Sequence, residues 1–211
     1  MPAKPYRMID YVVFDLGGVL IDWNPRYLYR KLFDDPNEIE YFLTKICHGQ
    51  WNESLDEGYP FAKACQDKMA EFPNYRDAIE AYWKRWPEML NGVHQGTVDL
   101  LEQIYQSQSH RLFSITNWSA ETFPTARQLF PFLGYFEDIV VSGEEKLIKP
   151  NVGIFQILFE RNQLMPRKGL FIDDNAKNVD AARACGMQAL HFTTSEQLKS
   201  DLDSLNILIK S

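Results

Sequence analysis

Apolar runs and helical stripes take turns along most of this chain. Residues 11–14, Tyr-Val-Val-Phe, form a continuous apolar run that ends on a carboxylate, Asp15, and soon two glycines, Gly17 and Gly18. Such a run, with β-branched Val12 and Val13, predicts a buried strand that stops in a tight turn. From about residue 96 the two textures alternate. QGTVDLLEQIYQSQ sets Val98, Leu101, Ile104 and Tyr105 at helical spacing, and HRLFSITNW then predicts a strand closing on Thr116. SAETFPTARQLF predicts a helix capped by Ser119 with Pro124 in its first turn. FEDIVVSGEE supplies a strand, and NVGIFQILFERNQL a helix with Ile154, Phe155, Leu158 and Phe159 on one face. KGLFIDDN is a further strand, AKNVDAARACG a helix ended by Gly186, and MQALHF a last short strand. The order βαβαβαβ packs as a parallel sheet with helices on both faces, an α/β fold.

Residues 24–92 have another texture. They hold no convincing strand, many aromatics (Tyr27, Tyr29, Phe33, Tyr41, Phe42, Trp51, Phe61, Trp83, Trp86) and turn signals at 34–36, 58–60 and 72–74. They are expected to form a small helical bundle inserted after the first strand, which leaves 1–23 and 93–211 as the α/β domain. With 211 residues, 45% of them apolar, the chain can bury a sizeable core. Its net charge of −7 argues against a nucleic-acid or anionic-membrane partner, because phosphate backbones need a basic footprint. Cys47, Cys65 and Cys185 share no metal-ligand spacing and are expected to be reduced thiols; the four histidines lie far apart and support no zinc site. MPAKPYRMIDY lacks a signal-peptide apolar stretch, and no run reaches membrane-span length, so a cytoplasmic location is expected. The sequence specifies no oligomeric state.

In open parallel sheets ligands bind beyond the carboxyl ends of the strands. Four predicted strand ends, or the loops just after them, carry polar groups: Asp15, Thr116 with Asn117, Lys149, and Asp173 with Asp174. Three converging carboxylates repel one another, and a divalent metal resolves this; all-oxygen ligation favours Mg²⁺. A lysine and a hydroxyl beside such a site suit a phosphate, and Asp15 then fits the part of a nucleophile forming an aspartyl-phosphate.

These segments resemble the haloacid dehalogenase (HAD) superfamily. VVFDLGGVL is similar to its first motif, LFSITNW to its second, EEKLIKPNVGIF to its third and LFIDDNAKNVDAARACG to its fourth, in the family's order. The insert resembles the helical C1-type cap. The resemblance implies a Rossmann-like core. It also implies Asp15 as nucleophile and Mg²⁺ ligand, Thr116 and the Asn117 backbone holding the phosphoryl group, and Lys149 neutralising both. Asp173, Asp174 and the Gly17 carbonyl would complete the metal site, and Gly18 would let the chain turn around the phosphate; Trp23 and Trp51 are the candidates to touch substrate, and Trp118 to line the entrance. The departure is Gly17, where most phosphatases of the superfamily carry a second aspartate as acid and base. Asp22 or His48 is the expected replacement, or else the substrate needs little protonation, as an anomeric sugar phosphate does. If nothing replaces it, the phosphoenzyme is expected to accumulate. The function this implies is a phosphatase acting on a small phosphate monoester, a sugar phosphate first. The alternatives are a hydrolytic 2-haloacid dehalogenase, against which Asp173-Asp174 argues, and a degenerate phosphate-ligand binder.

Overall fold

The computed structural model describes residues 9–208. Its strands in chain order are β1 (Tyr11–Phe14), β2 (Ile21–Trp23), β3 (Leu90–Val93), β4 (Arg111–Thr116), β5 (Asp138–Val141), β6 (Gly169–Asp173) and β7 (Gln188–His191). Five of them form one parallel sheet in the order β5-β4-β1-β6-β7. The alternation of side chains along a strand then divides the core in two. Val12, Phe14, Leu112, Leu170 and Ile172 face one apolar cluster, and Tyr11, Val13, Phe113, Ile115 and Phe171 face the other. Helix Val152–Asn162 covers the second face with Ile154, Phe155, Leu158 and Phe159, all buried as their spacing predicts. Helix Gln95–Ser107 covers the first with Leu100, Leu101 and Ile104. Tyr105, expected on that stripe, is exposed and stacks on Tyr135 at 4.2 Å between ring centres.

Three local expectations are corrected. The helix after β4 runs Phe123–Leu129 with Pro124 in its first turn, but Ser119 does not cap it. Ser119 closes the preceding turn, its carbonyl accepting from the N–H groups of Thr122 and Phe123. A C-terminal helix, Ser195–Ser204, is present that the periodicity did not reveal; the Thr194 side chain caps it and Leu198 and Leu202 anchor it. And the insert is bounded by strand: β2 and β3 pair antiparallel, so Leu90–Val93 is extended where no strand was expected. Four half-exposed residues containing Asn91-Gly92 carry no strand pattern of their own, and the pairing with β2 decides their conformation.

Between β2 and β3 every regular element is helical. Tyr29 lies at the centre of this insert, 4.5 Å from Phe42 and 6.2 Å from Tyr82 between ring centres, with its hydroxyl donating to Ala78 O. Each such ring contributes on the order of 2 kcal/mol by burial. The apolar cluster of the insert is continuous with the β2 side of the sheet through Leu16, Leu20 and Ile21. The N-terminal segment read for a leader falls mostly on residues 1–8, outside the described residues. No helix among the described residues is long and apolar enough to cross a membrane.

Candidate active site

β1 is central, and its register sets the chemistry. Phe14 lies opposite Ser114 and Ile172, so the next residue, Asp15, emerges between the ends of β4 and β6, its N–H bonded to Ile172 O. Asp173 ends β6 and Thr116 ends β4. Lys149 reaches in from the loop after helical turn Ser142–Glu145 and is fully buried. Its ammonium stands 2.9 Å from Asp15 Oδ1 and 2.7 Å from Asp173 Oδ2, and it donates to Ile115 O. Burial disfavours the ammonium, but the two carboxylates outweigh that and raise Lys149 above the usual lysine range. Burial chiefly, opposed by Lys149 and assisted by Asp173, raises the Asp15 carboxyl in the metal-free protein.

Both Asp173 oxygens are held: Oδ1 accepts from Asn175 N–H, Oδ2 accepts from Lys149, and the single Asn178 Nδ2 lies within hydrogen-bond distance of both. Asp174 is exposed as a residue, but its carboxyl lies toward the site, where partial desolvation and then Asp173 raise it. One oxygen from each of Asp15, Asp173 and Asp174 lies within 4.8 Å of the others. Against one ammonium, three carboxylates leave an excess of two negative charges, which a divalent cation cancels. The donor set therefore fits Mg²⁺. Thr116 Oγ1 is buried with no hydrogen-bond partner. An orphaned buried hydroxyl costs roughly 1–3 kcal/mol, and a phosphate oxygen would satisfy it.

The two glycines after Asp15 differ. Gly18 has φ of +75°, so the backbone favours glycine, and a Cβ there would sit 2.5 Å from Asp174 Oδ2 and push that side chain aside. Gly17 lies outside the left-handed region and a Cβ there would meet nothing within 4 Å. The conformational reason expected for Gly17 therefore does not hold.

Other expected residues fall in varied places. The Asn117 side chain clasps the Lys149 backbone, accepting from its N–H at 2.8 Å and donating to its carbonyl at 3.0 Å, a role the sequence did not suggest. Trp23 and Trp118 line a cavity of about 80 Å³ beside Gly17, closed by Asn52, Asp56 and Trp86. Trp51 does not line it; it packs edge-on against Tyr82. Asp22 is turned into the β2-β3 hairpin, accepting from the Tyr27 hydroxyl and the Asn91 amide. His48 caps helix Gly49–Asp56, its Nδ1 accepting from Trp51 N–H. Neither reaches the cavity. Lys146, expected to be an ordinary solvated lysine, donates to Gly58 O and Gly143 O and so ties the insert to the sheet. Asn178, which orients Asp173, was missed because its position on the next helix carries no signal until that helix docks.

A family model of haloacid dehalogenase-like hydrolases matches residues 12–192. The chain is 26% identical over 184 residues to a sesquiterpene phosphatase of Aspergillus oryzae, covering 87% of this chain and 89% of that one. It is 23% identical to a phosphorylated carbohydrates phosphatase of Thermotoga maritima, covering 87% and 84%. Its fold is similar to that of a HAD family enzyme of Bacteroides thetaiotaomicron crystallised with magnesium and inorganic phosphate, with a TM-score of 0.66, 22% identity and coverage of 88% and 95%.

Proposed function

This chain belongs to the haloacid dehalogenase-like hydrolases, and from that premise we propose that it is a Mg²⁺-dependent phosphatase of small phosphate monoesters, sugar phosphates first, working through a phospho-Asp15 intermediate. The observation that carries the proposal is the buried Lys149 ammonium bridging Asp15 and Asp173 beside a third carboxylate, Asp174. Asp15 Oδ attacks phosphorus, and water later releases orthophosphate from it. Lys149 holds the nucleophile in line and offsets phosphoryl charge. Thr116 Oγ1 and the Asn117 backbone hold the phosphoryl oxygens. Mg²⁺, when bound, neutralises phosphate charge and polarises the phosphorus for attack. Asp15, Asp174 and the Gly17 carbonyl would hold it directly, with Asp173 orienting Lys149 and meeting Asn175 and Asn178. In this reading the α/β core, 1–23 and 93–211, carries the chemistry, and the insert, 24–92, acts as a cap that selects the substrate together with Trp23 at the core's margin. The phosphatase names of the relatives support this reading over dehalogenation, as does the acidic pair at 173–174.

The test is phosphate release from a panel of sugar phosphates, a terpenyl phosphate and an aryl phosphate, with Mg²⁺ and with chelator. Release is expected with Mg²⁺ alone, and fastest on a sugar phosphate. Chelator-resistant release of halide from a 2-haloacid would overturn the reading. A panel left intact by a protein that still binds phosphate with Mg²⁺ would make the chain a binder.

Metal linkage gives an independent check. Asp15 is pushed up to about 8 in the folded, metal-free protein from an ordinary value of 3.8. Between those values the unfolded chain has released this proton and the folded chain keeps it, so metal-free stability falls as pH rises through that window. Mg²⁺ binds the ionised carboxylates, so the melting-temperature gain it confers is expected to grow from about pH 5.5 to about pH 8. Equal gains at both ends would remove Asp15 from the metal site.

A further inference from the structure

Gly17 leaves the proposed phosphatase without the side chain that protonates the leaving group, and the cavity in front of it shows what stands there instead. Helix Gly49–Asp56 of the insert ends on Asp56, and Asp56 lines the same cavity as Gly17 and Asn117. A carboxylate at a helix C-terminus sits at the unfavourable end of the helix dipole, so its placement there calls for a reason other than helix stability. The residue is anchored from several sides. Asn52 Nδ2 donates to Asp56 Oδ2 at 2.9 Å, and Asn52 Oδ1 is itself fixed by the hydroxyl of buried Tyr82 at 2.7 Å. The Ser119 backbone amide faces the Asp56 carboxyl and favours its ionised form. Buried Ser142 donates its hydroxyl to Asp56 O at 2.6 Å while accepting from Trp118 N–H, which pins this point of the insert to the loops after β4 and β5. Burial first, and then the charges of Glu53 and Asp15, push the Asp56 carboxyl well above the ordinary carboxylate range, only partly offset by Ser119 and Asn52.

We propose that Asp56 is the acid and base of the reaction, supplied from the insert across the space that Gly17 leaves open. The inference rests on the phosphatase reading above. As Asp15 Oδ bonds to phosphorus, the bond from phosphorus to the ester oxygen breaks and the Asp56 proton passes to that oxygen, releasing the alcohol. The Asp56 carboxylate then takes a proton from water as its oxygen attacks phosphorus. The Asp15 oxygen leaves as carboxylate, and orthophosphate and protonated Asp56 complete the cycle. Gly17 thus has a chemical reason where it lacks a steric one: an aspartate there would project into the cavity that Asp56 serves.

The experiment compares Asp56→Asn with wild type on an alkyl sugar phosphate and on 4-nitrophenyl phosphate, whose leaving group needs little protonation. On the alkyl ester the variant is expected to lose roughly 10²–10⁴-fold in kcat. On the aryl ester it is expected to give a rapid-quench burst of about one nitrophenol per active site and then turn over slowly, because formation of the phosphoenzyme survives and its hydrolysis does not. Wild type is expected to show no burst. Equal losses on both esters with no burst, or unchanged turnover, would overturn the role of Asp56 and leave the phosphatase reading standing. Absence of Mg²⁺-dependent turnover by wild type would overturn both. If Asp56→Asn melts below the assay temperature, Asp56→Ser takes its place under the same criteria.

Discussion

Asp15→Asn is expected to lower phosphate release by roughly 10⁴-fold or more while raising the melting temperature of the metal-free protein. The two effects have one origin. The Asp15 carboxyl accepts Leu16 N–H at 2.7 Å and stands beside Lys149, and a carboxamide oxygen can fill both places, so the local geometry survives. What disappears is the nucleophilic oxygen and a carboxyl that burial forces to take up a proton on folding. Lys149 keeps Asp173 as its partner. The variant is therefore expected to be a better-behaved apo protein and a poor Mg²⁺ binder. Retention of more than about a tenth of wild-type activity would mean that another group attacks phosphorus.

That this site was legible before folding is a matter of where parallel strands end. Asp15, Thr116, Lys149 and Asp173-Asp174 each follow an apolar run whose length and composition specify a strand or the loop beyond it, and parallel register brings those ends to one edge of the sheet. What was not legible depends on docking. Asp22 and His48 are the acid and base candidates nearest the hinge and within the insert by sequence, but a hairpin and a helix cap consume them. Asp56 carries no sequence pattern, because its function comes from the orientation of a whole helix against the loops after β4 and β5. Likewise, Gly17 and Gly18 look alike in sequence, and only the left-handed backbone of Gly18 and the approach of Asp174 separate them. Residues placed by their own strand converge as the pattern predicts, and those placed by the meeting of insert and sheet carry no such signal.

The same distinction predicts the cost of removing Lys149. Lys149→Met is expected to destabilise the metal-free protein by roughly 3–5 kcal/mol, since it strands two buried carboxylates that the ammonium compensates. For a domain of this size that is a fall of roughly 6–20 °C in melting temperature. Ile115 O loses its donor as well, whereas Asp173 keeps Asn175 and Asn178. The deficit should grow as pH rises past about 8, where Asp15 ionises beside the ammonium in wild type while burial still holds the proton on the stranded Asp15 of the variant. Mg²⁺ should restore part of the stability, being a second cation for the same carboxylates, but not the activity, because Lys149 also holds Asp15 in line. The measurement is thermal melting at neutral and alkaline pH with and without Mg²⁺, paired with phosphate release. A variant that melts within about 2 °C of wild type at neutral pH would show that the pair is solvated rather than buried. Restored activity with Mg²⁺ alone would show that charge, not positioning, is what Lys149 supplies.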